Sequence, residues 1–242
     1  VLDRPDKRNA LDRTLVEALA EALDRCADDP AVRVVAISGA GRDFCAGADL
    51  EALAGMLDAP PSAHHDDAAA LGAVFLRLRA LPVPTVALVR GRALAGGAGL
   101  ATACDIVVAD EAAEFGYPEV RVGFVPAMVM TMLRRSVGER RAADLVLTGR
   151  RLGAREAEAW GLVSRVLPTA QFDDEAERLL AGMARQPAEA VTRTKALLYA
   201  LDGEPFAAGI ARGVEANVAA RATTAFREGV QAFVRPLDGR AP

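Results

Sequence analysis

Residues 85–109 read TVALVRGRALAGGAGLATACDIVVA. The stretch opens on an aliphatic, β-branched run (85–89) behind Pro82 and Pro84 and passes through a turn crowded with glycine and alanine. It continues into a short helical pattern through Leu100 to Cys104 and closes on a second aliphatic run (106–109). Strand, small-residue turn, helix and strand in that order mark an α/β chain. The same alternation extends upstream. Residues 12–26 place Leu15, Ala18, Leu19, Ala22, Leu23 and Cys26 at helical spacing, and Asp28-Asp29-Pro30 ends that helix. Residues 32–38 (VRVVAIS) then form a buried strand closed by Gly39-Ala40-Gly41. A helix over 66–80 precedes the 85–89 strand, and the last short strand falls at 163–166. Beyond it every segment has helical spacing: 171–185, 187–200, 205–220 and 223–234. The expected organisation is an α/β core over residues 1–180 followed by a helical region over 181–242.

Composition narrows the chemistry. The 242 residues carry 29 basic and 33 acidic side chains, a net charge of −4, which disfavours nonspecific nucleic-acid binding. The longest charge-free windows, 93–104 and 122–133, fall well short of the roughly 20 residues needed to span a bilayer, so no membrane segment is expected. His64 and His65 are the only histidines, and four serines are present, so a histidine base, a histidine-rich metal site or a serine triad is disfavoured. Proton transfer falls to carboxylates. Cys26, Cys45 and Cys104 are odd in number and widely spaced, which fits a reducing, cytoplasmic setting with neither a disulfide framework nor a zinc site. The chain begins at Val1, in what reads as the tail of a strand. Residues 55–67 (GMLDAPPSAHHDD) lack apolar periodicity and read as a mobile surface loop, with a lid over a cleft as the alternative. No metal is expected at His64-His65-Asp66-Asp67, because adjacent histidines do not easily face one ion.

Three segments carry chemistry. Residues 43–50 (DFCAGADL) lead from the first strand into a helix through small residues that let the backbone approach a ligand closely. Residues 91–100 repeat that arrangement after the next strand. They spell neither the dinucleotide fingerprint, since the third glycine is missing, nor a phosphate loop, since no G-K-[ST] follows. Two amides converging from such turns can form an oxyanion hole. In the third segment, 114–126, Glu119 follows Pro118 and precedes a long apolar run, so the carboxylate is either exposed or desolvated in a cleft.

Taken together, these segments resemble the crotonase superfamily, the enoyl-CoA hydratase/isomerase family. The resemblance runs over nearly the whole chain: 3–11 (DRPDKRNAL) is similar to the opening motif and 44–50 to the A-G-A-D-L segment. Residues 91–100 match the glycine turn, 115–119 (FGYPE) the glutamate segment, and 147–150 with 157–163 the final core strand and helix. The fold implied is a ββα spiral core with a C-terminal helical trimerisation region. The site implied holds a thioester carbonyl between the amides of Ala46 and Gly96, with Glu119 as acid/base. CoA would lie along Lys7, Arg8, Ala10, Ala46, Asp49 and Leu50, with Gly97, Gly99 and Tyr117 also at the substrate. CoA is part of the substrate, so no separate cofactor is implied, and the partners implied are an acyl-CoA and further copies of the chain, as a trimer or a dimer of trimers.

The sequence departs from the pattern at one position. Many hydratases of the family act through two glutamates, and the first of these falls here on Gly99. The resemblance therefore implies reversible hydration of a 2-enoyl-CoA with one glutamate. Δ3-to-Δ2 isomerisation and noncatalytic acyl-CoA binding stand as alternatives. Asp49 is expected to fix the turn after its segment, Glu111 and Glu114 to sit on a solvated edge, and Tyr117 either to donate near the acyl group or to pack. Phe226, Val230, Phe233 and Val234 form an apolar stripe suited to a subunit contact or to an internal core, and the tail from 234 to 237 lacks the family's basic ending.

Overall fold

A computed structural model describes residues 1–234 of the chain, so residues 235–237 of the tail just mentioned lie outside the described residues. Asp12 caps the first helix, α1 (Arg13–Asp28), by accepting a bond from the Leu15 amide, and the helix buries Val16 and Leu23. The chain then enters β1 (Val35–Ser38), α2 (Leu50–Gly55) and α3 (Pro61–Ala80). The next turn of the structure is β2 (Thr85–Val89), β3 (Arg92–Leu94) and α4 (Gly96–Ala103). After it come β4 (Ile106–Asp110), β5 (Glu114–Gly116), a 3-10 helix over Pro118–Val122 and α5 (Ala127–Val137). The turns from β2 onward repeat one plan, strand, second strand, helix, and in the first turn an isolated bridge from Cys45 to Ala93 takes the place of the second strand.

The first strands of each turn, with β7 (Arg165–Leu167), build one parallel sheet in the order β1-β2-β4-β7. Parallel neighbours need long crossovers, which α3 and α4 supply. A parallel sheet covered on both faces requires near-continuous apolar strands, and β2, with Thr85, Val86, Ala87 and Val89 all buried, meets that demand. The short second strands form the other sheet, in which β3 pairs parallel with β5 and β5 antiparallel with β6 (Arg151–Gly153). Phe44, Leu78, Leu100, Phe115, Tyr117, Leu133 and Leu145 lie fully buried between the layers.

Helices α6 (Glu139–Thr148) and α7 (Ala154–Trp160) close the spiral. Four more follow: α8 (Phe172–Ala184), α9 (Ala188–Ala200), α10 (Phe206–Arg221) and α11 (Thr224–Val234). Helix α8 is continuous through residue 180, and Phe172, Leu179, Leu180 and Met183 pack on Val86 and Val108 of the parallel sheet. In α9 the buried Lys195 ammonium donates to the Leu78 and Val83 carbonyls at 2.9 and 3.0 Å and pairs with Asp105 at 2.8 Å. Asp105 also accepts from the Thr85 amide and hydroxyl and from the Tyr199 hydroxyl, so one carboxylate ties α9 to the start of β2.

The main correction concerns residues 55–67, which are not a long loop. Helix α2 runs to Gly55 and α3 begins at Pro61, leaving a five-residue connection, 56–60, and placing His64 to Asp67 within α3. The cause is Pro61 at the first helical position, where its fixed φ starts a helix and its missing N–H costs nothing. Helix α4 begins at Gly96 rather than near Leu100, and β1 is shorter than the apolar run that contains it. Among the described residues no helix is long and apolar enough to cross a membrane.

Candidate active site

Two backbone turns meet at the N-terminus of α4. In the first, Leu11 and Ala48 form an isolated parallel bridge: the Leu11 amide donates to the Gly47 carbonyl at 2.8 Å, and the Asp49 amide donates to the Leu11 carbonyl at 2.9 Å. Successive amides of an extended segment point to opposite sides, so the N–H of Ala48 faces away from Leu11. It has no hydrogen-bond partner within the described residues. Gly47, at φ +96, lies directly on the α4 entrance, since a Cβ there would stand 2.8 Å from the Ala95 Cβ and 3.5 Å from the Gly96 nitrogen. The amides of Ala48 and Gly96 are thus neighbours.

At the second turn, the Ala95 amide donates to the Gly116 carbonyl at 2.8 Å. Ala95 adopts φ 49 and ψ −124. A non-glycine residue held there is strained, and such strain persists only where the surroundings enforce it. The result turns Gly96 into the first residue of α4, whose N–H has no carbonyl one turn back and no side-chain cap.

This geometry corrects one expectation. The Ala46 amide is not free: it donates to the Arg8 carbonyl at 3.0 Å. The Gly96 amide is free, and the second free amide belongs to Ala48.

Glu119 lies in the 3-10 helix that follows β5. That segment is held against α4 by the Ala95–Gly116 bond and by the Tyr117 hydroxyl, 2.9 Å from the Thr102 Oγ1. Glu119 is 9% exposed, and its Oε2 is buried without any hydrogen-bond partner. Burial pushes its pKa above the ordinary glutamate value of 4.5, with only a partial offset from a backbone N–H. The other buried acids are all engaged. Asp43 receives the Arg92 guanidinium through two bonds of 2.9 and 2.8 Å, Asp49 caps α2, and Asp110 accepts from Thr169 and the Ala112 amide.

The positions expected along CoA gather on one edge. Residues 7–11 run beside 46–51. There Lys7 pairs with Glu51 at 2.7 Å, the Ala10 carbonyl accepts from Arg4, and Leu50 stands exposed. Asp49 fixes the turn as expected, accepting from the Glu51 and Ala52 amides and pairing with Arg4 at 3.0 Å. Arg4 and Asn9 were not singled out by the sequence. Asn9, fully buried at φ +55, accepts from the Arg4 amide and donates to the Ala40 and Asp43 carbonyls, locking the 4–10 segment to the turn after β1.

Tyr117 is fully buried and spends its hydroxyl on Thr102, the packing alternative. Gly97 is buried, packed so closely on Cys45 that a Cβ there would strike it. Glu114 pairs with Arg151 on a half-exposed edge, and Glu111 is exposed. Among the described residues no cluster of three metal-ligating side chains occurs.

A family model described as enoyl-CoA hydratase/isomerase matches residues 1–239. A Thermus thermophilus protein provisionally named an enoyl-CoA hydratase is 43% identical over 96% of this chain and 92% of its own length. The 2,3-dehydroadipyl-CoA hydratase of Escherichia coli is 36% identical over 97% of this chain and 90% of its own. The crystal structure of an enoyl-CoA hydratase from Mycobacterium smegmatis superposes with a TM-score of 0.92 at 33% identity, covering 100% of this chain and 92% of that one.

Proposed function

Because this chain belongs to the enoyl-CoA hydratase/isomerase family and has its crotonase-type fold, we propose that it hydrates a 2-enoyl-CoA reversibly, with Glu119 as the sole acid/base. The observation that carries the reading is the bare, buried Oε2 of Glu119, alone among the buried acids of the described residues in lacking a partner. The N–H groups of Ala48 and Gly96 receive the thioester oxygen as negative charge develops on it. Each such donor contributes about 2.7–4 kcal/mol in comparable sites.

In hydration, Glu119 takes a proton from water as the oxygen bonds to C3 and C2=C3 becomes the enolate. The carboxyl group then returns the proton to C2, for a net addition of H and OH. A second reading is favoured by Gly99, which offers no other acid. Here Glu119 removes a proton from C2 of a 3-enoyl-CoA and returns it to C4, moving the double bond without water. In both reactions the unprotonated carboxylate acts first, and burial, by raising its pKa above the ordinary 4.5, makes that carboxylate a stronger base.

CoA itself would lie along Lys7, Arg8 and Ala10 on one side and Ala46, Asp49 and Leu50 on the other, an edge supported by the pairing of these two segments. The reading includes assembly into a trimer or dimer of trimers. Its support is that Phe226, Val230, Phe233 and Val234 all remain exposed on α11 instead of joining an internal core. Three unpaired cysteines, two of them buried, suit a cytoplasmic enzyme.

The test compares wild type with Glu119→Gln on 2-enoyl-CoA and 3-enoyl-CoA across pH. Loss of the general base should lower the rate about 10²- to 10⁴-fold. The wild-type rate should fall on the acidic side through an apparent pKa above 4.5, and the residual Gln activity should lack that limb. Equal rates in the two proteins would remove Glu119 from the mechanism, and tight acyl-CoA binding without turnover would favour a binding protein.

A further inference from the structure

Gly99 lies one turn beyond Gly96, on the same face of α4. Side chains on a helix lean toward its N-terminus, so any side chain at 99 would reach back toward the Gly96 amide and a carbonyl held there. That space is already taken. A Cβ built on Gly99 would overlap the Val129 Cγ1 methyl, lie 3.1 Å from the Val129 Cβ and 3.3 Å from the Phe75 Cζ. Val129 and Phe75 are themselves 4% and 5% exposed.

The neighbouring wall is apolar as well. Leu11 and Leu71 stand 3.4 and 3.6 Å from where a Gly96 Cβ would be, and Met128 seats its sulfur 3.3 Å from where a Gly72 Cβ would be. A bound water is held by two to four polar partners. None of these side chains offers one.

We propose that Val129 sets the balance between water addition and double-bond migration, by filling the space that a second polar side chain at position 99 of α4 would occupy. The proposal rests on the acyl-CoA reading above and deepens it. With Val129 in place, a water beside the acyl group finds Glu119 and no second side chain to orient it, whereas the C2-to-C4 proton shuttle needs only Glu119. Val129 is therefore a specificity-determining residue, and Gly99 is the complement of its shape.

The proposal is tested by measuring hydration of a 2-enoyl-CoA and isomerisation of the matching 3-enoyl-CoA in wild type, Gly99→Glu, Val129→Gly, the double variant and Val129→Thr. The double variant should raise the ratio of hydration to isomerisation at least about tenfold, as general acid/base groups commonly contribute 10² or more. Gly99→Glu alone should lower the melting temperature and leave the ratio near wild type, because the carboxylate cannot enter. Val129→Thr exchanges one buried methyl for a hydroxyl at similar volume, so it should lower the melting temperature modestly and raise the ratio about threefold, a modest share of a full acid/base effect. The role of Val129 is overturned if the ratio stays unchanged in Val129→Thr and in the double variant, or if Gly99→Glu alone matches the double. Absence of wild-type turnover on both substrates overturns the acyl-CoA reading itself. Glu119-dependent turnover with an unmoved ratio overturns only Val129.

Discussion

Ala46 and Ala48 carry the same side chain two positions apart, and hydrogen bonding alone separates them. The first spends its N–H on Arg8; the second has an N–H with no partner, turned away from Leu11 toward the start of α4. Replacing either residue by its α-hydroxy acid, which exchanges the amide for an ester, isolates the difference. At Ala48 the exchange should lower kcat about 10²- to 10³-fold with little change in melting temperature. At Ala46 it should cost about 1 kcal/mol of stability and leave kcat nearly intact. The opposite pattern would return the role to Ala46. Spacing alone left Glu119 either exposed or desolvated, and the resemblance of residues 115–119 to the family's glutamate segment is what singled it out. Ala48 and Val129 were not legible, because each depends on a neighbour distant in sequence: Leu11 for the direction of an amide, Gly99 for the room a methyl group occupies.

Among elements, most of the long ones could be read, the start of α3 excepted, and the short strands of the second sheet could not. Strand β2 and helices α8 to α11 have enough residues for a period to show, whereas β3, β5 and β6 have three residues each, too few for any alternation. Two of those strands, β3 and β5, nevertheless carry the turns at Ala95 and Gly116 on which the site depends. Helix α9 poses the reverse case. Its lysine is conspicuous in a chain with only one other, yet nothing local shows that Lys195 enters the core. Lys195→Met would leave the Leu78 and Val83 carbonyls and the Asp105 carboxylate without their cation. Breaking a buried ion pair from one side costs about 3–5 kcal/mol, so the melting temperature should drop by roughly 6–20 °C. An unchanged melting curve would mean that water replaces the ammonium without loss.

For the whole molecule, the remaining asymmetry lies in its apolar surface. Helix α10 exposes Phe206, Ile210, Val214 and Val218 in a single row four residues apart, with Phe206 86% exposed. A row that size on a lone protein is a liability for aggregation, and copies meeting across it would remove it from water. On the trimeric reading proposed above, sedimentation should find wild type in multiples of three chains, and Ile210→Asp with Val214→Asp should shift it to single chains. Wild type sedimenting as one chain would rule out that use of the row.

The Lys195 clasp also bears on folding kinetics. Its partners Leu78, Val83 and Asp105 lie 117, 112 and 90 residues earlier in the chain. The entropy of closing such long loops must be met before these contacts add any stability, which places the clasp among the slow-forming contacts of the fold.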